Sequence, residues 1–265
     1  MKRMLPIASR EVMSYFSSPV AYVVLTLWSV LAGSFFLSAL LGFIADEERS
    51  RQLAAIGQVS QSNLNDGLVI PFFGAMWVIM LFLLPAVTMG LFASEKANGT
   101  EELLLTSPLT GWDIVLGKFL AGSAFALLMI VIVGFFPGLL FMYGDPELGK
   151  TASGLLALFL LSLAYVAVGA FASSLTRNQI ISWVLTLVIL LVLGVLLPFI
   201  VDVGVLGGRG EQGVTAAVAR WTATGHHIER LLSGLVDTAD VAYFVIVTSG
   251  FLVLTKVSVE SVRWR

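Results

Sequence analysis

The chain has 265 residues, of which 58% are hydrophobic and 12% are charged, and it carries a formal net charge of −2 and no cysteine. Soluble domains contain about 25% charged residues, so this composition indicates an integral membrane protein, with a single membrane domain over residues 1–265 and no separate soluble enzyme domain. The charge balance gives no reason to expect nucleic acid as a partner. The lack of cysteine excludes disulfides, thiolate metal sites and a cysteine nucleophile.

The first residues of the chain are amphipathic. Hydrophobic side chains recur at helical spacing at Leu5, Ala8, Val12, Met13 and Phe16. We expect residues 4–16 to form a helix at the cytoplasmic membrane interface, the alternative being a frayed tail. Ser18-Pro19 ends this helix, and the apolar run that follows is too long for the core of a cleavable signal peptide.

Six apolar stretches are long enough to cross a bilayer as helices, which takes about 20 residues. They cover residues 20–45, 69–94, 115–143, 153–175, 180–201 and 239–256. The fold class is therefore an all-α integral membrane protein with six transmembrane helices. Residues 46–68 are expected to form a polar loop with some helical pattern around 50–58. Pro85 should kink the second span because proline removes a backbone hydrogen bond.

Three other segments have predicted structural features. Gly134-Phe-Phe-Pro-Gly138 in the third span is either a helix-dimer face or, as we favour, a kink with close packing. Residues 176–179 form a tight turn between the fourth and fifth spans. Residues 202–238 are polar and glycine-rich, and they should contain two short external helices. The apolar residues of these helices are Val214, Ala217, Val218 and Trp221 in the first, and Ile228, Leu231, Leu232 and Leu235 in the second.

One polar passage, residues 95–118, interrupts the apolar runs. Thr100 can cap a helix whose first turn holds the acidic residues Glu101 and Glu102, and Ser107-Pro108 ends it. The resulting helix of roughly six residues is too short to be stable alone, so it must lie against another surface. A capping box formed by Thr110 with the acid three residues later should start the next helix.

The sequence of residues 95–118, EKANGTEELLLTSPLTGWDIVLGK, resembles the coupling helix and following span of type-2 ABC exporter permeases. The resemblance continues in Asn63-Leu64-Asn65 and Pro71-Phe72-Phe73-Gly74 and, more weakly, in residues 226–265. It is strongest to the gliding-motility branch, with the nitrous-oxide-reductase maturation permeases as near relatives. The residues that it assigns to ATPase coupling are Glu95, Gly99, Thr100, Glu101, Glu102, Leu103, Leu104, Leu105, Thr106, Ser107, Pro108, Gly117 and Lys118.

The resemblance implies a permease subunit of an ATP-driven exporter. Two such subunits, identical or related, would assemble with two ATP-binding subunits and, in the gliding type, with a periplasmic auxiliary subunit. ATP would be bound by the partner, so we expect no cofactor and no catalytic residue in this chain, which is not an enzyme. One alternative is a permease-like subunit that transmits ATP-driven motion to a motility or pilus machine without moving a solute. A second is a membrane scaffold with no ATPase partner.

Charge placement agrees with an external energy source. The only charged residues inside the six predicted spans are Lys118, Asp240 and Lys256, all near span ends, whereas ion-coupled transporters usually carry acids or histidines inside the membrane. With both termini cytoplasmic, nine of the 15 basic residues lie inside and six outside, as the positive-inside rule favours. We therefore expect a multi-pass protein of the bacterial inner membrane, with residues 95–118 inside and 202–238 outside.

Two motifs suggest other chemistry. Residues 144–151, GDPELGKT, match the phosphate-loop pattern G-x-x-x-x-G-K-[ST], but no strand precedes them and spans flank them, so we interpret them as a turn. His226 and His227 could bind a metal. Adjacent residues do not share one helical face, and we favour a second-shell or interfacial role.

Overall fold

The computed structural model describes residues 4–55, 63–100, 110–144, 146–196, 199, 221 and 224–261, and in these ranges it contains helices and no strand. The helices are α1 (Met4–Ser17), α2 (Pro19–Ala55), α3 (Ile70–Thr88), α4 (Gly90–Asn98), α5 (Gly111–Tyr143), α6 (Leu148–Leu175), α7 (Gln179–Leu191), α8 (Thr224–Leu232) and α9 (Thr238–Ser261). A π-helical turn, Asn65–Val69, leads into α3, and another, Val192–Leu196, follows α7.

Six helical stretches of the described chain are long and apolar enough to cross a membrane. They are Pro19–Ala55, Asn65–Asn98, Gly111–Tyr143, Leu148–Leu175, Gln179–Leu196 and Thr238–Ser261. The predicted all-α class with six transmembrane helices is confirmed. The helices extend past the predicted spans, since hydropathy marks only the apolar part of a helix. The third begins at Gly111 instead of residue 115, and the last continues to Ser261 instead of residue 256.

The largest difference from the prediction lies after the first span. Residues 46–55 belong to α2, so the expected polar loop is helical over this part, while residues 56–62 lie outside the described chain. The helix continues because Glu, Arg, Gln and Ala have good helix propensity. Arg51 also donates to Glu47, one turn earlier, at 2.7 Å. No residue from Ile44 to Ala55 is buried.

The second span is divided into α3 and α4 at Met89, four residues after Pro85. Thr88, which is fully buried, donates its hydroxyl to the Leu84 carbonyl at 3.0 Å and so satisfies a backbone acceptor next to the break. The carbonyl that Pro85 itself leaves without its helical partner is that of Leu81, four residues earlier.

Helix α6 is the centre of the bundle and contacts α3, α4, α5, α7, α8 and α9. Its glycines allow this close packing. A Cβ atom on Gly154 would lie 2.4 Å from the Phe73 ring, and one on Gly169 would lie 2.0 Å from the Thr88 hydroxyl. In the third span, a Cβ atom on Gly134 would be 3.4 Å from Leu155, whereas one on Gly138 would meet nothing within 4 Å. Small residues promote helix association in membranes in this way.

The segment before the last span is described only in part. Of the two short helices expected there, the second corresponds to α8, while residues 201–220 lie outside the described chain. The expectation that Leu235 belongs to that helix is wrong. Gly234 adopts a left-handed conformation, with φ of 92°, just after α8 ends, and a left-handed glycine commonly terminates a helix. Leu235 lies beyond it and is exposed.

Candidate functional site

The polar segment leaves the bundle at the end of α4. Gly99 has a φ of 68°, which favours glycine because it has no side chain. The Thr100 N–H donates to the Glu95 carbonyl at 3.0 Å, and the Thr100 hydroxyl contacts the same oxygen at 3.3 Å. This is the arrangement of a left-handed helix C-cap. Gly99 and Thr100 therefore end α4, and the helix predicted to follow Thr100 lies outside the described residues.

The chain re-enters the bundle at the start of α5. The Asp113 N–H donates to the Thr110 hydroxyl oxygen at 3.2 Å, and the Thr110 N–H donates to the Asp113 carboxylate at 3.1 Å. Both halves of the predicted capping box are thus confirmed. Since both ends of the segment are held by caps, its entry into and exit from the bundle are fixed.

A buried ammonium group joins the two helices that flank this segment. Lys118, in the second turn of α5, is 1% exposed. Its Nζ donates to the Leu91 carbonyl at 2.6 Å, to Glu95 Oε1 at 2.9 Å and to Glu11 Oε1 at 3.1 Å. We call this group, formed by Glu11, Leu91, Glu95 and Lys118, the lysine junction. It joins three helices, α1, α4 and α5, through one cation.

The electrostatics of the lysine junction explain why a lysine tolerates burial there. Removing an ammonium group from water costs several kcal/mol unless it is paired and hydrogen-bonded. Lys118 has three oxygen acceptors, one for each of its three donors. The two carboxylates carry more charge than one lysine neutralises. Arg10 supplies a second cation at the exposed rim, 3.7 Å from Glu11 and 3.9 Å from Glu95.

Gly117, the neighbour of Lys118, brings α1 close to α5. A Cβ atom on Gly117 would lie 2.7 Å from Ile7 Cγ2 and 3.4 Å from the Met4 carbonyl oxygen. The absence of a side chain therefore allows α1 to lie across the start of α5, where Glu11 can reach Lys118. Gly117 and Lys118, both predicted as coupling residues, thus have separate structural roles. Gly117 allows the close contact with α1, and Lys118 forms the ion pairs of the lysine junction.

The structure brings together some of the predicted coupling residues. Glu95 and Lys118 are in direct contact, Gly99 and Thr100 cap the adjoining helix, and Gly117 supports α1. The others, Glu101 to Pro108, lie outside the described chain. Sequence reasoning missed Glu11, although one signal was available: it is the only acidic residue before Asp46.

A second polar cluster lies where α8 meets α9. His227 is 3% exposed, with Nδ1 2.5 Å from Asp240 Oδ1 and Nε2 2.8 Å from the Trp221 carbonyl oxygen. Arg230 also donates to Asp240, and the Tyr243 ring stacks on His227 with centroids 4.2 Å apart. Both ring nitrogens of His227 therefore face oxygen atoms of other residues.

We interpret this cluster as a structural contact between α8 and α9. In the described ranges, no three His, Cys, Asp or Glu side chains come close enough to hold a metal ion. His227 is instead engaged with Asp240, while His226 is one of the partly buried residues of α8. The contact ties α8 to the first turn of α9.

The segment that matches the phosphate-loop pattern, residues 144–151, includes the start of a membrane helix. Helix α6 starts at Leu148, and Lys150 Nζ lies 3.2 Å from Asp66 Oδ1 and 3.6 Å from Glu147 Oε2. A lysine held by two carboxylates is poorly placed to receive a phosphate. The contacts tie the start of α6 to the turn before α3.

Six apolar helices around a buried centre define a multi-pass membrane protein. The family described as ABC-2 family transporter protein matches residues 5–260, so the chain belongs to this family and is a permease subunit of an ABC transporter. Such subunits are generally not catalytic themselves, and the family implies an ABC ATP-binding partner. No curated protein matches the chain.

Proposed function

We propose that this permease couples ATP hydrolysis in a separate ATP-binding subunit to export, and that residues 101–108 make the contact with that subunit. The observation that supports this proposal is the lysine junction. It lies at the base of the polar segment, where it joins the helix before the segment, the helix after it and α1.

The lysine junction suggests how a displacement of residues 101–108 would be transmitted to the rest of the bundle. Glu95 and Lys118 belong to the two helices that flank the segment, so their ion pair favours movement of α4 and α5 as one unit. Glu11 adds α1 to that unit. A displacement at residues 101–108 would then reach α6 through α4 and α5, both of which pack against it. The spans would respond as fairly rigid bodies, alternating between inward-facing and outward-facing states.

The proposed assembly has two permease subunits, identical or related, and two ATP-binding subunits that hold the ATP. Its place is the bacterial inner membrane, with both termini in the cytoplasm. The resemblance to the gliding-motility branch adds a periplasmic auxiliary subunit. The permease itself uses no cofactor in this scheme.

The Leu104→Asp variant tests the coupling contact. Burying a leucine side chain contributes about 1.5–3 kcal/mol, and an unpaired charge in the same place costs more. We expect the variant to insert in normal amount, because the residue lies outside the predicted spans. It should lose copurification of the ATP-binding subunit, or keep the subunit bound without in-cell activity.

The matched control is Asn98→Ala, at an exposed residue that ends α4, and it should retain both partner and activity. The same assays on Leu103→Asp and Leu105→Asp cover the two neighbouring leucines. Retention of partner and full activity by all three leucine variants would exclude the segment as the coupling element.

Membrane topology gives a separate prediction. A C-terminal reporter that is active only in the cytoplasm should be active, because the basic residues favour cytoplasmic termini. The same reporter inserted near Gly208 should be inactive. The reverse pattern would place residues 95–118 on the side away from any cytoplasmic ATPase and would rule out the mechanism above.

The mechanical alternative, transmission of motion to an envelope machine without solute transport, is favoured by α2. This helix continues for 12 residues beyond its last buried residue, Phe43, and presents charged side chains at Asp46–Arg49 and Arg51. A long polar helix outside the membrane is a suitable attachment point for an envelope protein. A gene neighbourhood that encodes a large periplasmic auxiliary subunit would favour this alternative.

The second alternative is a membrane scaffold with no ATPase partner. It would be favoured if the purified chain carried no ATP-binding subunit.

A further inference from the structure

A side chain from another helix is bonded to the backbone where the second span is divided, at Met89. Ser173, in the last turn of α6, is fully buried. Its hydroxyl oxygen accepts hydrogen bonds from the Phe92 N–H and the Ala93 N–H, both at 2.9 Å. The same hydroxyl donates to the Met89 carbonyl at 2.9 Å. One hydroxyl group therefore bonds to three backbone groups at the break.

Pro85 does not account for these bonds. Proline lacks the N–H that would donate to the carbonyl four residues earlier, and that carbonyl belongs to Leu81, about two turns before Met89. The N–H groups that donate to Ser173 belong to the turn that follows Met89. The break therefore includes a contact from outside the second span.

The backbone groups at the break have a second way to be satisfied. In a continuous α-helix the Phe92 N–H would donate to the Thr88 carbonyl, and the Ala93 N–H would donate to the Met89 carbonyl. Both N–H groups would keep one acceptor each. A continuous second span is therefore a hydrogen-bonded alternative to the broken one.

The Ser173 hydroxyl also has an alternative partner. Two other buried serines of the same helix, Ser162 and Ser174, donate to the carbonyl three residues earlier in α6, each at 2.7 Å. If the second span became continuous, Ser173 would be able to do the same. Each arrangement then contains three hydrogen bonds, so hydrogen bonding alone favours neither form strongly.

The break lies near one surface of the membrane. Helix α3 has 19 residues and is about 28 Å long, close to the hydrocarbon thickness of about 30 Å. Helix α4 continues beyond that length. Its direction can therefore change while α3 stays in place across the bilayer.

Helix α4 carries groups that connect it to its neighbours. The Leu91 carbonyl and Glu95 belong to the lysine junction, and Lys96 Nζ donates to the Ser174 carbonyl at 2.6 Å. Gly99 and Thr100 then lead into the polar segment. The direction of α4 therefore determines where that segment leaves the bundle.

We propose that the second span switches between two forms. In the broken form Ser173 bonds to Met89, Phe92 and Ala93, and in the continuous form these groups bond within their own helices. Ser173 is thus a positioning residue, which sets the direction of α4. The use of this switch in coupling rests on the proposed function, whereas the switch itself does not.

The test measures distances between pairs of nitroxide labels by pulsed electron paramagnetic resonance. The sample is the purified full-length chain, with any copurifying subunit, in lipid nanodiscs. One pair is on cysteines introduced at Ala97 and Ile180, exposed residues of α4 and α7. The reference pair, Val78 and Val188, joins α3 to α7 at exposed positions.

Ser173→Ala should change the first distance and leave the reference distance unaltered. Helix α4 has nine residues and is about 13 Å long, so a change in direction of about 20° moves its end by about 5 Å. We expect a second, discrete distance that differs by about this amount. The ratio of the two populations should shift at least about tenfold toward it, because the broken form loses all three bonds to Ser173.

Two further variants separate the hydroxyl group from general effects of substitution. Ser173→Thr keeps the hydroxyl and should keep the unaltered distance. Ser174→Ala is the matched control, because this neighbouring buried serine donates its hydroxyl to Phe171 within α6. It should also leave both distances unaltered.

The proposal is overturned if Ser173→Ala leaves the Ala97–Ile180 distance unchanged, or if Ser173→Thr or Ser174→Ala shifts it equally. A single broadened distribution would show a loose α4 with no second form. Loss of the reference distance in Ser173→Ala would show that the hydroxyl is needed for folding, so the two forms are not close in energy. The measurement requires no ATP turnover, so its result is separate from that of the Leu104→Asp test.

Discussion

Lys118→Met should lower the free energy of unfolding by about 3–5 kcal/mol, because it leaves Glu11 and Glu95 close together without the cation between them. A typical domain is stable by only about 5–15 kcal/mol, so the loss is large. The measurement is the midpoint of SDS-induced unfolding of the purified protein, followed by tryptophan fluorescence. In-cell activity should be lost as well, since α1 and α4 would no longer be held to α5.

The control for Lys118 is Lys256→Met. Lys256 pairs with Glu260 at 3.3 Å, and both side chains are partly exposed, so the expected loss is at most about 1 kcal/mol. A triple variant with Lys118→Met, Glu11→Gln and Glu95→Gln should recover most of the stability, because it leaves no buried uncompensated charge; the remaining cation, Arg10, is exposed to solvent. If the single Lys118→Met variant unfolds at the same midpoint as the unaltered protein, the lysine junction contributes nothing to the stability of the fold.

The second large effect is expected from Gly169→Ala, at the contact between α6 and α3. The added Cβ atom would lie 2.0 Å from the Thr88 hydroxyl oxygen and 2.6 Å from Thr88 Cβ. Thr88 is fully buried, and its branched side chain is short, so relief requires the helices to separate. Overpacking of this kind costs about 1–3 kcal/mol. The expected result is a lower unfolding midpoint and less protein in the membrane.

Gly250→Ala is the matched comparison, since a Cβ atom there would meet nothing within 4 Å. Alanine is favoured over glycine in a helix by about 1 kcal/mol, so this variant should be as stable as the unaltered protein or slightly more so. If Gly169→Ala and Gly250→Ala unfold at the same midpoint, the close contact at Gly169 does not limit the packing of α6.

Local features of the fold could be predicted from the sequence because short stretches of chain determine them. The six apolar runs define six helices, and the Thr110 capping box depends on residues three positions apart. The turn before α7 is another example: the Asn178 side chain caps the helix by accepting a hydrogen bond from the Ile180 N–H at 2.9 Å. Each of these needs only a few neighbouring residues.

Long-range contacts were not predictable in the same way. Glu11 and Lys118 are separated by 107 positions, and nothing in either local pattern identifies the other as its partner. Gly169 is one of 25 glycines, and only the packed helices show which of them face a neighbouring helix. The extension of α2 was missed for a different reason: hydropathy detects the apolar part of a helix and ends where the charges begin.

Helix α2 also determines how far a small rotation is amplified. With 37 residues and a rise of about 1.5 Å each, it is about 55 Å long, compared with about 30 Å for the hydrocarbon core. A rotation of about ten degrees around Pro19 would move Ala55 by about 10 Å if the helix turns as a rod. Movements too small to detect at the lysine junction would therefore become measurable as distance changes between spin labels or fluorophores on the last turns of α2. The cysteine-free chain allows such labels to be attached without background.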